Sequence, residues 1–244
     1  MNRRWQALAR LFAVQGTWNY ERMLGVGMGY AAEPLLEDLK AVDPVRHGEA
    51  VVRSAEFFNC HPNLAGLALG ATTRAEYEGV PGVQIARLRT ALCSPLGSMG
   101  DQLFWAGLVP GLVAITLLGL VLGAGPWAVL GFLLVYNAIR IGTAVWSLRT
   151  GMAAGMRVGN AIGSSWLPRA IEWAGPLAGF TVGLAVPVVA NWYLAGFGWS
   201  AAIGAAGVAV AGIALIRWFG PGLTSVRFAL LAMVLLLLFR RLGL

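Results

Sequence analysis

Lysine, cysteine and histidine are all scarce in this sequence, and each scarcity excludes something. Of 18 Lys and Arg residues only Lys40 is a lysine. The two cysteines, Cys60 and Cys93, are too few for a disulfide framework and match no zinc spacing. The two histidines, His47 and His61, have no third ligand spaced to complete a metal site with them. Charge as a whole is sparse: 12% of residues are charged, where a soluble domain carries about a quarter. No Walker loop and no dinucleotide fingerprint occurs, because Gly25-Val26-Gly27-Met28-Gly29 lacks the strand and the spacing those need. A secretory signal is not visible either, since Arg3 and Arg4 are followed by Trp5, Gln6 and then Arg10 rather than by a clean apolar core.

What is abundant is apolar surface. Hydrophobic residues make up 58% of the 244, and mean hydropathy is +0.70. The pattern predicts an integral membrane protein. The net charge of +7 does not redirect this toward nucleic acid, because the arginines punctuate apolar runs as membrane flanks do.

The two halves differ. Residues 1–100 balance acids and bases, whereas 101–244 hold eight arginines and only two acids, Asp101 and Glu172. Apolar runs at 102–139, 173–216 and 228–239, set against the roughly 20 residues of a bilayer-spanning helix, predict four or five membrane segments within 102–241. The first two are divided at Gly123-Ala124-Gly125-Pro126, the next two near Gly196-Phe197-Gly198, and the last run is short. The positive-inside bias of Arg149, Arg157, Arg169, Arg217 and Arg227 puts their connections, and so the N-terminal half, in the cytoplasm. Five crossings would leave Arg240 and Arg241 outside, against that bias, unless the last segment does not cross or the two arginines snorkel. Residues 1–100 then form an N-terminal region, amphipathic, partly embedded and facing the cytoplasm, and 101–244 the transmembrane region. The fold class is all-α.

Within the first region, Trp5, Leu8 and Phe12 share one helical face of residues 3–14, which reads equally as an interfacial helix or as one packed on its own domain. Residues 45–58 read as helical, 59–72 as a buried break followed by a short helix, and Gly79-Val80-Pro81-Gly82 as a turn.

Several residues stand out chemically. Glycine recurs at every fourth position through 151, 155, 159 and 163, and again at 175, 179 and 183, smooth stripes that allow close helix contact within the chain or with a partner. Gly155 and Gly179 represent these as partner-interface positions. Arg140 sits deep in an apolar segment and needs a polar partner, Asp101 or Glu172 being available, in a gating or structural role. Asn59-Cys60-His61-Pro62 gathers an amide, a thiol and an imidazole before a helix breaker. A Cys60–His61 nucleophile pair, a metal site and a phosphoryl acceptor are weaker readings than a polar cluster that caps a helix or contacts a ligand. A protease built on Ser164 or Ser165 with His61 is weaker again, since Gly-Ser-Ser-Trp is no nucleophile elbow. The stretch from Gln15 to Met23 pairs amides and a carboxylate with flat rings, which suits either a polyhydroxylated ligand or a membrane-interface segment.

Three ordered blocks carry a resemblance: Gln15-Gly16-Thr17-Trp18-Asn19-Tyr20-Glu21-Arg22-Met23, then Glu56-Phe57-Phe58-Asn59-Cys60-His61-Pro62, then Pro95-Leu96-Gly97-Ser98-Met99-Gly100-Asp101-Gln102-Leu103-Phe104-Trp105. With Tyr136-Asn137-Ala138-Ile139-Arg140, they resemble the signature blocks of the IID component of the mannose/fructose/sorbose-class phosphotransferase system (PTS). The resemblance covers residues 10–160 closely and the remainder as a pattern of apolar runs. Ser94 and Cys60 depart from the usual Gly and Thr of the family, and the chain is shorter than typical members.

The resemblance implies a bacterial inner-membrane, multi-pass permease subunit with a cytoplasmic N-terminus. It implies a IIC membrane partner in an oligomeric IIC–IID complex, a hexose substrate, and cytoplasmic IIA and IIB proteins that relay phosphate from phosphoenolpyruvate. Because the relay histidines of the family lie on IIA and IIB, the chain is expected to be non-catalytic, without cofactor, metal or nucleic acid, and with neither His47 nor His61 phosphorylated. By motif position, Asn59, His61, Asp101 and Arg140 are the substrate-binding or gating residues, and Trp18, Asn19 and Glu21 the partner or substrate surface. The other readings are a regulatory or scaffold membrane subunit that binds a phosphocarrier without transport, and an intramembrane hydrolase.

Overall fold

The computed structural model describes residues 3–194 together with the isolated positions 207 and 214. Chain contacts divide the protein into a compact unit, Met1–Val186, and a second unit, Pro187–Leu244, most of which lies outside the described residues. The fourth and fifth expected membrane segments, with Arg217, Arg227, Arg240 and Arg241, lie outside them too. Among the described residues the fold is helical, with two isolated bridges, Asn19 to Met23 and Met23 to Phe58, as its only β-type pairing.

Helix α1 (Arg3–Phe12) buries Ala7, Leu8 and Leu11 against α2 (Gly25–Val42). The face that packs is therefore centred one position away from the expected Trp5–Leu8–Phe12 stripe, and Trp5 and Phe12 remain at the surface. Small residues on α2 set its contacts. A Cβ on Gly27 would fall 2.2 Å from the Val14 carbonyl oxygen, and one on Gly25 would fall 2.1 Å from that of Glu56. Helix α3 (Pro44–Ser54) starts where Asp43 Oδ1 accepts the Arg46 N–H at 2.9 Å and Pro44 occupies the first turn. It stops at Ser54, so the helix expected over 45–58 is four residues too long, and Phe58 instead exchanges backbone hydrogen bonds with the 22–24 strip.

The centre of the unit is α4 (Ala65–Tyr77), buried along almost its whole length. It follows a break at His61-Pro62, as its composition predicts. It crosses α7 (Pro126–Ala154) so closely that side chains are excluded. A Cβ on Gly66 would lie 2.7 Å from Leu148 N, one on Gly70 2.5 Å from Met152 N, and one on Gly151 2.3 Å from the Leu67 carbonyl oxygen. Gly66 and Gly70 are four apart, one turn of one face, the small-xxx-small arrangement that lets backbones touch.

The longest helical run is continuous from Gly82 to Val121: α5 (Gly82–Gly100), a wide π-helical stretch (Asp101–Leu108) and α6 (Val109–Val121). It begins twenty residues before the expected first span. Composition changes at residue 101, but the backbone does not turn there. Gly123 (φ 89°) and Gly125 (φ 54°) make the tight reversal into α7 that only glycine enters without strain. Helix α7 ends because Gly155 adopts φ 55°. A short turn and α8 (Val158–Gly163) follow, then α9 (Leu167–Leu194). This corrects the expected glycine stripe, because 151, 155, 159 and 163 do not share one helix. Three helices, Gly82–Val121, Pro126–Gly163 and Leu167–Tyr193, are long and apolar enough to cross a membrane. They carry exposed Val113, Leu117, Leu134, Phe180 and Leu184, side chains that water would penalise and lipid would not.

Candidate functional site

The three sequence blocks are far apart in the chain and meet in space. The first folds back on itself. Asn19 Oδ1 accepts the N–H groups of Glu21 at 3.1 Å and Arg22 at 2.9 Å, the turn for which asparagine is suited, and Met23 closes it at φ 51°. Leu24 N–H then donates to the Phe58 carbonyl at 2.9 Å, and Phe58 N–H to that of Arg22 at 3.2 Å. The first block is thus stitched to the second. Asn19 serves this turn, and the turn projects Trp18, Tyr20 and Glu21 outward; the two rings meet edge to face at 4.8 Å.

The second block is clamped from the other side. Buried Arg89 donates to the Glu56 carbonyl at 2.9 Å and covers the Phe58 ring at 5.0 Å. The chain then turns at Asn59-Cys60-His61-Pro62 and enters α4.

The third block is the end of α5 and the π-helical stretch, and it receives His61. The imidazole stacks on Phe104, 4.8 Å between centroids, with Trp105 tilted at 5.9 Å. A Cβ on Gly100 would lie 2.1 Å from the Cβ of His61, so a glycine at that position is what admits the ring.

Between these blocks lies a polar hollow of about 720 Å³. Gln15 comes from the first block, Phe57, Asn59, Cys60 and His61 from the second, and Ser94, Ser98, Asp101, Gln102 and Trp105 from the third and its approach. Its volume falls within the range of roughly 300–1,000 Å³ usual for small-molecule pockets.

His61 is the chemically telling group. It is 3% exposed, and burial pushes it down from 6.5 to about 4, against the opposing pull of the Asp101 carboxylate. It is therefore neutral at pH 7. Its Nδ1 accepts the Asn63 N–H at 3.3 Å, so the ring proton belongs on Nε2, a buried donor that finds no acceptor among the described residues. Burial likewise pushes the Cys60 thiol well up, away from the thiolate that a nucleophile needs.

Of the residues singled out by sequence, Asn59, His61 and Asp101 line one hollow. Arg140 does not join them. The ion pairs among the described residues include neither Arg140 with Asp101 nor Arg140 with Glu172, which corrects that expectation; the guanidinium sits over the Phe12 ring at 5.3 Å instead. Gly155 packs on the Arg74 side chain within the chain, whereas a Cβ on Gly175, Gly179 or Gly183 would meet nothing within 4 Å. Gln15, Ser98, Gln102 and Trp105 were not singled out from sequence, although all four lie inside the blocks.

The comparisons agree with this arrangement. A description of the PTS system mannose/fructose/sorbose family IID component matches residues 1–237. The chain is 31% identical over 182 residues to the fructose permease IID component of Bacillus subtilis (strain 168), which is 72% of this chain and 64% of that protein. It is 28% identical over 177 residues to the mannose-specific EIID component of Escherichia coli (strain K12), 70% and 62% of the two chains. To the sorbose-specific EIID component of Klebsiella pneumoniae it is 27% identical over 179 residues, 70% and 64%. The match spans less than two thirds of the length of each of these relatives.

Among solved structures, it resembles a chain of the mannose transporter ManYZ in complex with microcin E492 (MceA), with a TM-score of 0.58 and 26% identity over 75% of this chain and 68% of that one. A second structure, described as that of a membrane protein, gives a TM-score of 0.65, again with 26% identity and the same coverage. With a family match across residues 1–237, three helices able to cross a bilayer and the signature blocks gathered at one hollow, the chain belongs to the IID components of the PTS mannose/fructose/sorbose family and is an integral protein of the bacterial inner membrane.

Proposed function

We propose that this chain is the IID subunit of a sugar permease, translocating a hexose together with a IIC partner while cytoplasmic IIA and IIB proteins phosphorylate the sugar. The observation that supports the reading is the convergence of three distant sequence blocks on one polar hollow. Its chemistry suits a hexose. Asn59 and Gln102 offer amides that both donate and accept, Asp101 accepts, and His61 Nε2 is an unspent donor. Trp105 and Phe57 offer exposed ring faces to the C–H surface of a sugar. In this reading the N-terminal region faces the cytoplasm, with Trp18 and Glu21 on the surface turned toward partner proteins. Gly179 belongs to a smooth face of α9 on which a IIC helix packs, and Arg140 finds its polar surroundings in the assembled complex.

Phosphoenolpyruvate-dependent uptake of a hexose panel, in cells expressing the chain with its neighbouring IIC, IIA and IIB genes, tests the proposal. Asp101→Asn is expected to cut uptake severely while leaving the amount of membrane-inserted protein unchanged. Full uptake by the variant removes Asp101 from the path. Absence of uptake of any hexose by the unmodified set leaves the regulatory-subunit reading in its place.

A further inference from the structure

A second hollow, of about 310 Å³, opens between α1 and the last turns of α7. We propose that it binds the headgroup of an anionic phospholipid. Arg4 enters from the first turn of α1 and Arg149 from α7, and no carboxylate lines the space. Arg149 takes part in no ion pair among the described residues. The neighbouring hollow, which shares Arg4, is different: there Arg3 is paired with Asp38, and Arg74 with Glu78. Uncompensated positive charge is thus concentrated at the Arg4–Arg149 hollow.

The C-terminal carbonyls of a helix would ordinarily repel an anion placed beside them. Here Arg74 Nη1 donates to the carbonyls of both Met152 and Ala153, and so blunts that end of α7. The first turn of α1, from which Arg4 projects, carries no acid. Two guanidinium forks with the local repulsion removed are well matched to phosphate oxygens.

Inorganic phosphate would satisfy the arginines alone, but the rest of the hollow asks for a lipid. Leu8, Val145 and Leu148 form an apolar wall, and Trp5, 52% exposed, stands at its rim. A tryptophan so placed belongs at headgroup level. The depth also fits. Along α7, Arg149 is the first charge after Arg140, at the end of the apolar stretch, and Arg157 and Arg169 follow on the same side. Positive flanks mark the leaflet that carries anionic lipid. An acyl chain would leave the hollow along the apolar wall as the phosphate meets the two arginines.

The test uses the full chain purified in detergent and titrated with short-chain phosphatidylglycerol, read by thermal unfolding and by native mass spectrometry. Phosphatidylglycerol is expected to raise the unfolding midpoint and to appear as a bound adduct, and phosphatidylcholine and inorganic phosphate at equal concentration are expected to do neither. Arg149→Gln should weaken the phosphatidylglycerol response about tenfold, the loss of one charge-assisted contact. Arg157→Gln, which removes the same charge outside the hollow, should keep the response, and this guards against a general loss of positive charge or of fold. Equal stabilisation by phosphatidylcholine, an undiminished response in Arg149→Gln, or a response to inorganic phosphate alone would each overturn the proposal.

Discussion

The imidazole of His61 lies nearly parallel to the ring of Phe104, with 14° between their planes, and Gly100, one turn earlier on the same helical run, leaves the space it occupies. Gly100→Ala should therefore be costly in a way that no exposed glycine is. The new methyl would stand where the Cβ of His61 already is, so either the ring leaves its stack or the helix moves. Overpacking of this kind costs roughly 1–3 kcal/mol. A lowered thermal midpoint in detergent, together with reduced uptake, is the expected result; an unchanged midpoint would contradict it.

The same histidine should give the protein an acid-side instability. The ordinary value is 6.5 and the folded value about 4, so between these pH values the unfolded chain binds a proton that the folded chain refuses. The contribution to stability is complete above pH 6.5 and is lost as pH falls toward 4. At about 1.4 kcal/mol per pH unit this reaches roughly 3 kcal/mol at the acid limit. The unfolding midpoint, measured between pH 7 and pH 4.5, should fall more steeply for the unmodified chain than for His61→Gln. Parallel curves would assign the acid sensitivity to other groups.

Glu76 should prove a structural carboxylate. It is 3% exposed and joins Arg53 at 2.8 Å and Arg46 at 3.1 Å, holding α3 against the end of α4. Glu76→Gln leaves two guanidinium groups without their anion. Breaking a buried pair from one side costs roughly 3–5 kcal/mol, somewhat less here because both arginines keep some contact with water. The variant should accumulate poorly and unfold at a lower temperature. Wild-type stability in Glu76→Gln would show the pairs to be dispensable.

Two glycines separate contact within the chain from contact outside it. Gly151→Ala places a methyl 2.3 Å from the Leu67 carbonyl oxygen, and backbone cannot withdraw as a side chain tip can, so the isolated chain should lose stability. Gly179→Leu meets nothing within 4 Å and should leave the isolated chain as stable as before, yet recover less of the IIC partner on co-purification. Full IIC recovery with Gly179→Leu would place the interface elsewhere.

Much of this organisation could be read in advance where local chemistry decides it. Gly123-Ala124-Gly125-Pro126 had to be a reversal, since two positive φ values and a helix-starting proline leave little else. The break at His61-Pro62 and the grouping of Asn59, His61 and Asp101 followed from motif position. What escaped depends on contacts between distant residues. Arg87 and Arg89 made residues 82–100 look like a soluble segment, but Arg89 is buried with its guanidinium on the Glu56 carbonyl and the Phe58 ring, and hydropathy counts a charge without seeing its partner. The Gly66–Gly70 pair passed unnoticed beside the longer glycine series, although it makes the tighter crossing. Asn19 looked like a ligand group because nothing in its composition reveals that its side chain is already spent on a turn.

The wide turns at Asp101–Leu108 also act as a rotational coupling. In a regular helix each residue advances the next by about 100°, so removing or adding one residue swings everything beyond it by about that angle. A π-helical stretch absorbs extra chain without ending the helix. Here it lets α5 keep Gly100 beneath His61 while α6 independently turns Gly111 toward Ala178 of α9. Deleting Ala106 would tighten the stretch and force the two faces to share a single phase, leaving one of them correctly aimed and the other facing away from its neighbour.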